Sequence, residues 1–138
     1  MSKIDLADDR MCFVCGKQNP IGLKLIFKTE GRKTTAVFTP KKEHQGYKDI
    51  VHGGILSTVL DEAMTRLGYQ VGLNTVTAHI EVDFRKPAYV NQPLTLEGEI
   101  LREEGRKVFA KSRITNKNRE VVAEATGILV KIELTGQG

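Results

Sequence analysis

Ile50-Val51-His52-Gly53-Gly54-Ile55-Leu56-Ser57-Thr58-Val59-Leu60-Asp61-Glu62-Ala63-Met64 is the stretch from which the rest of the chain is read. A doubled glycine opens an apolar periodic run. Ile55, Val59, Ala63 and Leu67 recur at every fourth residue, and Leu56, Leu60 and Met64 form a second row beside them. That spacing predicts a helix over residues 54–67, closed by Gly68, whose apolar face is broad enough to be wrapped by a sheet. At its start the backbone amides of Gly53 and Gly54 are expected to be open to an anion or a carbonyl oxygen. Asp61 is the acid set among Val59, Leu60 and Ala63. A carboxylate on such a face has two readings: a partner for a buried cation or amide, or a functional group in an altered environment. Glu62 should point about 100 degrees away, solvated or paired with Arg66 one turn on.

On both sides of this helix the pattern is β. Residues 75–85, 94–102, 108–115 and 121–132 favour strands, with turn-like breaks at 87–93, 103–106 and 116–120. Thr95-Leu96-Glu97-Gly98-Glu99-Ile100-Leu101 alternates cleanly, so one face of the sheet is wet. Upstream, residues 23–28 and 34–39 are short β-favouring runs joined through Glu30-Gly31-Arg32, a hairpin. Pro40 ends the second, and the charged loop 41–48, with His44, Gln45, Gly46 and Tyr47, lies just ahead of the helix. Such a loop can form a wall of a site or be a solvated connection. One helix among six strands, without helix–strand alternation, predicts an α+β fold with an antiparallel sheet curled round the helix.

At 138 residues the chain is read as a single domain, 1–138, with residues 1–22 as an N-terminal leader and Cys-x-x-Cys loop. A net charge of +4, spread without a dense basic block, suits an anionic small molecule. Nucleic acid is disfavoured: there is no Trp, and the Phe and Tyr residues are dispersed rather than gathered on a stacking strand. No apolar run approaches the roughly 20 residues that cross a bilayer, and the N-terminus has acids where a signal peptide has its apolar core, so a cytoplasmic protein without membrane contact is expected. Cys12 and Cys15 are the only cysteines, and Gly16, Asn19, Pro20 and Gly22 around them read as turns. Two thiolates make half of a tetrahedral zinc site and no second pair exists. The expectation is a reduced pair packed in the loop with no metal; the alternative is zinc shared between chains or completed by a histidine.

Cys12-Phe13-Val14-Cys15-Gly16 with Asn19-Pro20 and Gly22-Leu23, then Val51-His52-Gly53-Gly54, Asp61, and Thr77-Ala78 leading to Asp83-Phe84-Arg85-Lys86-Pro87 resemble the hotdog-fold acyl-CoA thioesterases. The similarity is to the branch of phenylacetate-pathway thioesterases and thioesterase superfamily members 4 and 5. It implies a curved antiparallel sheet of about six strands wrapped around one long central helix, and hydrolysis of acyl-CoA to a free acid and coenzyme A without a cofactor, coenzyme A being part of the substrate. It further implies that the Gly53 amide polarises the thioester carbonyl. Asp61 is then nucleophile or general base, and Thr77 beside it orients the carboxylate or holds water. His52 is expected to steady the helix entrance.

Substrate-side expectations fall on Gln45, Gly54, His79, Arg85, Lys86 and Pro87. Many relatives carry Asn or Gln six residues before the histidine; Gly46 stands there in this chain, with Gln45 adjacent. His79, two residues after Thr77, should share its strand face, either lining a tunnel or serving the structure. Arg85 and Lys86 beside Pro87, and Arg106 and Lys107 in a later turn, are candidates for the phosphates of coenzyme A. The acyl chain is expected near Leu56, Leu60 and Met64.

Spacing adds a constraint. Gly53 and Asp61 are eight residues apart, so they lie roughly 12 Å apart along one helix. A nucleophile and an oxyanion donor must converge on one carbonyl, each within about 3 to 3.5 Å. Two antiparallel helices across a two-fold axis satisfy this, which predicts a homodimer or a dimer of dimers with shared sites. The alternative reading is a non-catalytic acyl-CoA-binding sensor, although the leader before Cys12 is too short for a helix-turn-helix. A hydratase is disfavoured because the helix carries no histidine beyond His52.

Overall fold

His52 sets where the long helix begins. Its backbone is extended, and its Nδ1 accepts the Gly54 N–H at 2.8 Å, so it serves as the N-cap of α1 (Gly53–Gln70). The computed structural model describes residues 3–4 and 7–134; residues 1–2, 5–6 and 135–138, which include part of the expected leader, lie outside the described residues. The helix outruns its expected end. Gly68 is buried inside it against Thr75, and the turn that ends it uses Gly72 at φ +86°, a conformation costly for other residues. Leu60, Met64 and Leu67 are at most 1% exposed, and burying each contributes about 1.5–3 kcal/mol.

In chain order the strands are β1 (Lys3–Ile4), β2 (Lys28–Glu30), β3 (Lys33–Phe38), β4 (Thr75–Phe84), β5 (Leu94–Glu104), β6 (Lys107–Thr115), β7 (Val121–Lys131) and β8 (Glu133–Leu134). Strands β1 and β8 pair in parallel as a small separate sheet. The other six form one antiparallel sheet in the order β2-β3-β5-β6-β7-β4, and α1 packs against five of them. The α+β arrangement expected from the sequence is the one observed.

Period-two burial explains the sheet. Leu94, Leu96, Gly98 and Ile100 of β5 face the helix while the residues between them face outward. Gly98 marks the closest approach, since a Cβ there would press on the Ala63 carbonyl. Beside it, buried Ser112 donates its hydroxyl to the Leu60 carbonyl at 2.8 Å, fixing the helix turn that carries Asp61. Register shifts at Thr77/His79, Ile100/Arg102 and Ile114/Thr115 bend adjacent strands, and such bulges let a sheet curl round a helix.

One strand differs from expectation. Residues 23–27 are not β. The Leu23 and Leu25 amides donate to the Phe13 and Val14 carbonyls at 2.8 and 2.9 Å, so the cysteine loop captures the bonds a sheet neighbour would have made. The hairpin forms further along, between β2 and β3, with Gly31 at its turn.

Candidate active site

The helix mouth is built by the loop ahead of it. A short 3-10 turn (Lys42–His44) leads into a bridge between Gln45 and Val51, and the His52 amide donates to the His44 carbonyl at 2.9 Å. Partial burial lowers the His44 pKa from its ordinary value. The Gln45 amide oxygen accepts the Asp49 N–H at 3.0 Å, which ties this side chain into its own turn. At Gly46, the position where the resemblance implied an amide side chain, a Cβ would lie 3.4 Å from His52 Cα. That position is a packing contact with the helix cap.

The two glycine amides are not equivalent, which corrects the expectation that both are open. Gly54 donates to His52, whereas the Gly53 N–H has no acceptor among the described residues. The free donor at the mouth is therefore Gly53 alone. Phe84, at the end of β4, places its ring edge 3.4 Å from where a Gly53 Cβ would stand, yet the residue is 55% exposed. Nothing in the residue pattern singled out Phe84. The available signal was an aromatic at a strand end beside two basic residues.

Two turns along, Thr77 donates its hydroxyl to Asp61 Oδ1 at 2.6 Å, with both residues partly buried. The other carboxylate oxygen has no side-chain partner among the described residues. The bulge directly after Thr77 leaves Ala78 unpaired, because Thr77 pairs Leu129 and His79 pairs Ile128. It also breaks the expected sharing of a face. Thr77 turns to the helix, while His79 turns outward to Glu81, at 3.2 Å. An extra residue in one strand reverses the alternation beyond it.

Other candidates are placed as follows. Arg85 Nε donates to Glu124 at 2.8 Å, and Lys86 is bonded to Glu120. These cations are thus matched within the chain; the Lys86 bond also holds the Glu120 carboxyl below its usual range. Pro87 is exposed beside them; Arg106 lies exposed in the β5–β6 turn and Lys107 exposed at the start of β6. Leu56, Leu60 and Met64 are buried against the sheet at 3%, 1% and 0% exposure, so they are core and not the wall of an open acyl channel. A cavity of about 460 Å³ lies on the outer face of the sheet, lined by Lys33, Glu97, Lys111, Arg113 and Glu124, and another of about 310 Å³ adjoins His79 and Phe109. Neither borders Asp61 or Gly53.

Glu62 is not paired with Arg66, which lies over the Tyr69 ring at 5.2 Å. It faces the N-terminal loop, where Cys12 Sγ donates to its Oε2 at 3.7 Å. Both cysteines are free and half-buried. Burial first, and the Glu62 charge second, push the Cys15 thiol up to about 12. A thiol held protonated in this way is a poor nucleophile.

The chain's residues 48–123, more than half of it, match the family model described as "Thioesterase superfamily". Acyl-coenzyme A thioesterase THEM4 of Bos taurus is 27% identical over 88% of this chain and 51% of its own length. The chain thus spans about half the length of the curated relatives it matches. In fold it is similar to the E. coli PaaI protein from the phenylacetic acid degradation operon, with a TM-score of 0.75 at 19% identity over 79% of this chain and 84% of that one. It is also similar to a hypothetical thioesterase protein of Streptococcus pneumoniae solved with coenzyme A (TM-score 0.75, 21% identity, 79% of this chain and 86% of that one). The streptococcal protein has further been solved with an aspartate and, separately, a threonine 16 positions later changed to alanine. With one helix wrapped by a six-stranded antiparallel sheet and the family match running from the helix mouth into β7, this chain belongs to the thioesterase superfamily and has its hotdog fold.

Proposed function

We propose that this protein hydrolyses acyl-CoA thioesters to a free acid and coenzyme A, using a site shared between two copies of the chain. The observation that carries the reading is the Thr77–Asp61 hydrogen bond at 2.6 Å, which leaves one carboxylate oxygen available, on a helix whose other end offers the unpaired Gly53 amide. Along one helix the two groups are roughly 12 Å apart, too far to act on one carbonyl. An antiparallel partner helix would bring Gly53 of one copy to Asp61 of the other. Edge strand β4, paired on one side only, supplies a surface on which two copies can join edge to edge. The named relatives and the coenzyme A-bound neighbour support the substrate class. The 16-residue spacing of Asp61 and Thr77 equals that of the residues changed in the streptococcal protein.

In the general-base route, Asp61 takes a proton from water as the oxygen adds to the thioester carbonyl carbon. The partner's Gly53 N–H donates to the developing oxyanion at the positive end of α1. Collapse breaks the C–S bond, and the proton held on Asp61 passes to the departing thiolate. In the nucleophilic route the same carboxylate adds first and expels the coenzyme A thiolate, giving an anhydride that water opens to the free acid and the regenerated carboxylate. Thr77 holds the carboxylate in one rotamer for either route. A panel of acyl-CoA substrates with thiol-release detection tests the reading: turnover is expected from the wild type and not from Asp61→Asn, with both dimeric in analytical ultracentrifugation. Tight acyl-CoA binding without thiol release would assign the chain to the binding class, and a fully active monomer would overturn the shared site.

A further inference from the structure

About 100 degrees round α1 from Asp61 lies a second group of chemically active residues that the proposed hydrolysis does not use. One donor atom from each of Cys12, Cys15 and Glu62 lies within 4.8 Å of the others. The loop that brings the two sulfurs together is tight and internally bonded. Gly16 donates its amide to the Cys12 carbonyl at 2.9 Å, Gln18 to the Arg10 carbonyl at 3.0 Å, and Asn19 its side-chain amide to the Met11 carbonyl at 3.0 Å. A Cβ on Gly16 would stand 2.6 Å from the Cys12 carbonyl oxygen, so the turn closes only around glycine. The sulfurs are therefore placed by backbone, ahead of any ligand.

We propose that Cys12, Cys15 and Glu62 form a zinc(II) site that ties the N-terminal loop to the outer side of α1. Three lines of chemistry converge on it. Tetrahedral zinc with sulfur at about 2.3 Å and carboxylate oxygen at about 2.0–2.2 Å sets donors roughly 3.5–3.8 Å apart. Cys12 Sγ and Glu62 Oε2 are separated by 3.7 Å. The carboxylate also lacks a counter-charge: among the described residues no cation pairs with Glu62, and its side-chain partners are thiols, the weakest donors available to it. Thiolates with one carboxylate select zinc over hard cations such as magnesium or calcium. On binding, the two thiol protons pass to solvent and the ion takes their place between sulfur and carboxylate. The fourth position takes water. The proposal departs from the expectation of no metal, and needs neither a second chain nor a histidine.

Direct titration tests it without any thioester, so failure here leaves the hydrolysis reading standing, and failure of hydrolysis leaves this one standing. The chain, reduced and dialysed against chelator, is titrated with Zn²⁺ in competition with a chromogenic zinc indicator. One ion per chain with submicromolar affinity is expected. Cys12→Ser and Cys15→Ser should each weaken uptake by at least about 100-fold and Glu62→Gln by at least about tenfold. Cobalt(II) in place of zinc should show thiolate charge-transfer absorption together with the visible bands of a tetrahedral ion. Zinc should also raise the melting temperature of the wild type and not that of the double serine variant. No uptake by reduced wild type, undiminished uptake by the double variant, or a cobalt spectrum without thiolate bands would each overturn the proposal. The wild-type titration decides even if a variant fails to fold.

Discussion

Asp61 and Glu62 are neighbours on one helix, both carboxylates and both half-buried, yet the fold gives them different company. Asp61 faces β4 and meets a hydroxyl, a strong neutral donor, at 2.6 Å. Glu62, about 100 degrees round the helix, faces a loop fifty residues upstream and meets two thiols. A hydroxyl holds one carboxylate oxygen in place and leaves the other able to take a proton; thiols satisfy a carboxylate poorly and invite a metal ion to replace their protons. In the proposed reading, the Asp61 side of α1 serves proton transfer and the Glu62 side holds the N-terminal segment. The difference comes from what packs against each side, since residue type and local propensity are nearly the same.

Conservative changes of the two acids should separate the sides most sharply. Asp61→Asn is expected to lower kcat for acyl-CoA hydrolysis by about 100-fold or more, the scale of a lost general base, with zinc uptake unaffected. Glu62→Gln should weaken zinc uptake and reduce turnover far less. Parallel thiol-release and zinc titrations check both, and a Glu62 variant as inactive as the Asp61 variant would merge the two sides into one site.

Thr77→Val is next in size. Removing a hydrogen bond to a charged group costs about 1.5–3 kcal/mol, or about 10- to 100-fold in rate if the whole effect reaches the transition state. Steady-state kinetics should show it in kcat, with KM little changed. A loss confined to KM would mean that Thr77 contacts substrate and does not orient Asp61.

Ser112→Ala asks whether the two sides share a foundation. The change leaves the buried Leu60 carbonyl without its 2.8 Å donor, a loss of about 1–3 kcal/mol of stability by urea unfolding. Because Leu60 precedes both acids, turnover and zinc uptake should fall together as the protein unfolds. A variant of unchanged stability would show that the helix turn does not depend on the Ser112 bond.

The smallest effect concerns reactivity. In metal-free protein, burial and then the Glu62 charge push the Cys15 thiol up to about 12 from the ordinary 9.0. Its alkylation by iodoacetamide should therefore keep rising by about tenfold per pH unit through pH 9–10, where a free cysteine levels off. Peptide mass spectrometry over a pH series reads this. Levelling near 9 would show that neither burial nor the Glu62 charge holds the Cys15 thiol protonated.

Much of this was legible before the fold was known, and the failures have specific causes. The four-residue repeat of Ile55, Val59, Ala63 and Leu67 located the helix because burial along one face imposes that period. Its end was misread: Gly68 resembles a terminator by type, but in the fold it provides room for Thr75. The face shared by Thr77 and His79 was also misread, because a bulge leaves no mark in an otherwise continuous β pattern. Leu56, Leu60 and Met64 could be placed on an apolar face, though not on which side of it an opening lies.

By itself the sequence determined the elements and their kind. Periods of 3.6 and 2 residues are local consequences of covalent geometry and of having one face to bury, and any window of the chain displays them. It determined as well that one chain cannot bring Gly53 and Asp61 to the same atom, since helix rise is a constant. Only the tertiary structure decided which partner each acid received. It closed the Gly54 amide with His52, left the Gly53 amide free, turned Thr77 inward and His79 outward, and carried Cys12 and Cys15 to Glu62 in place of Arg66. Those outcomes join residues distant in sequence, or depend on a one-residue bulge. They follow from how the core closes around the helix, which no local pattern records.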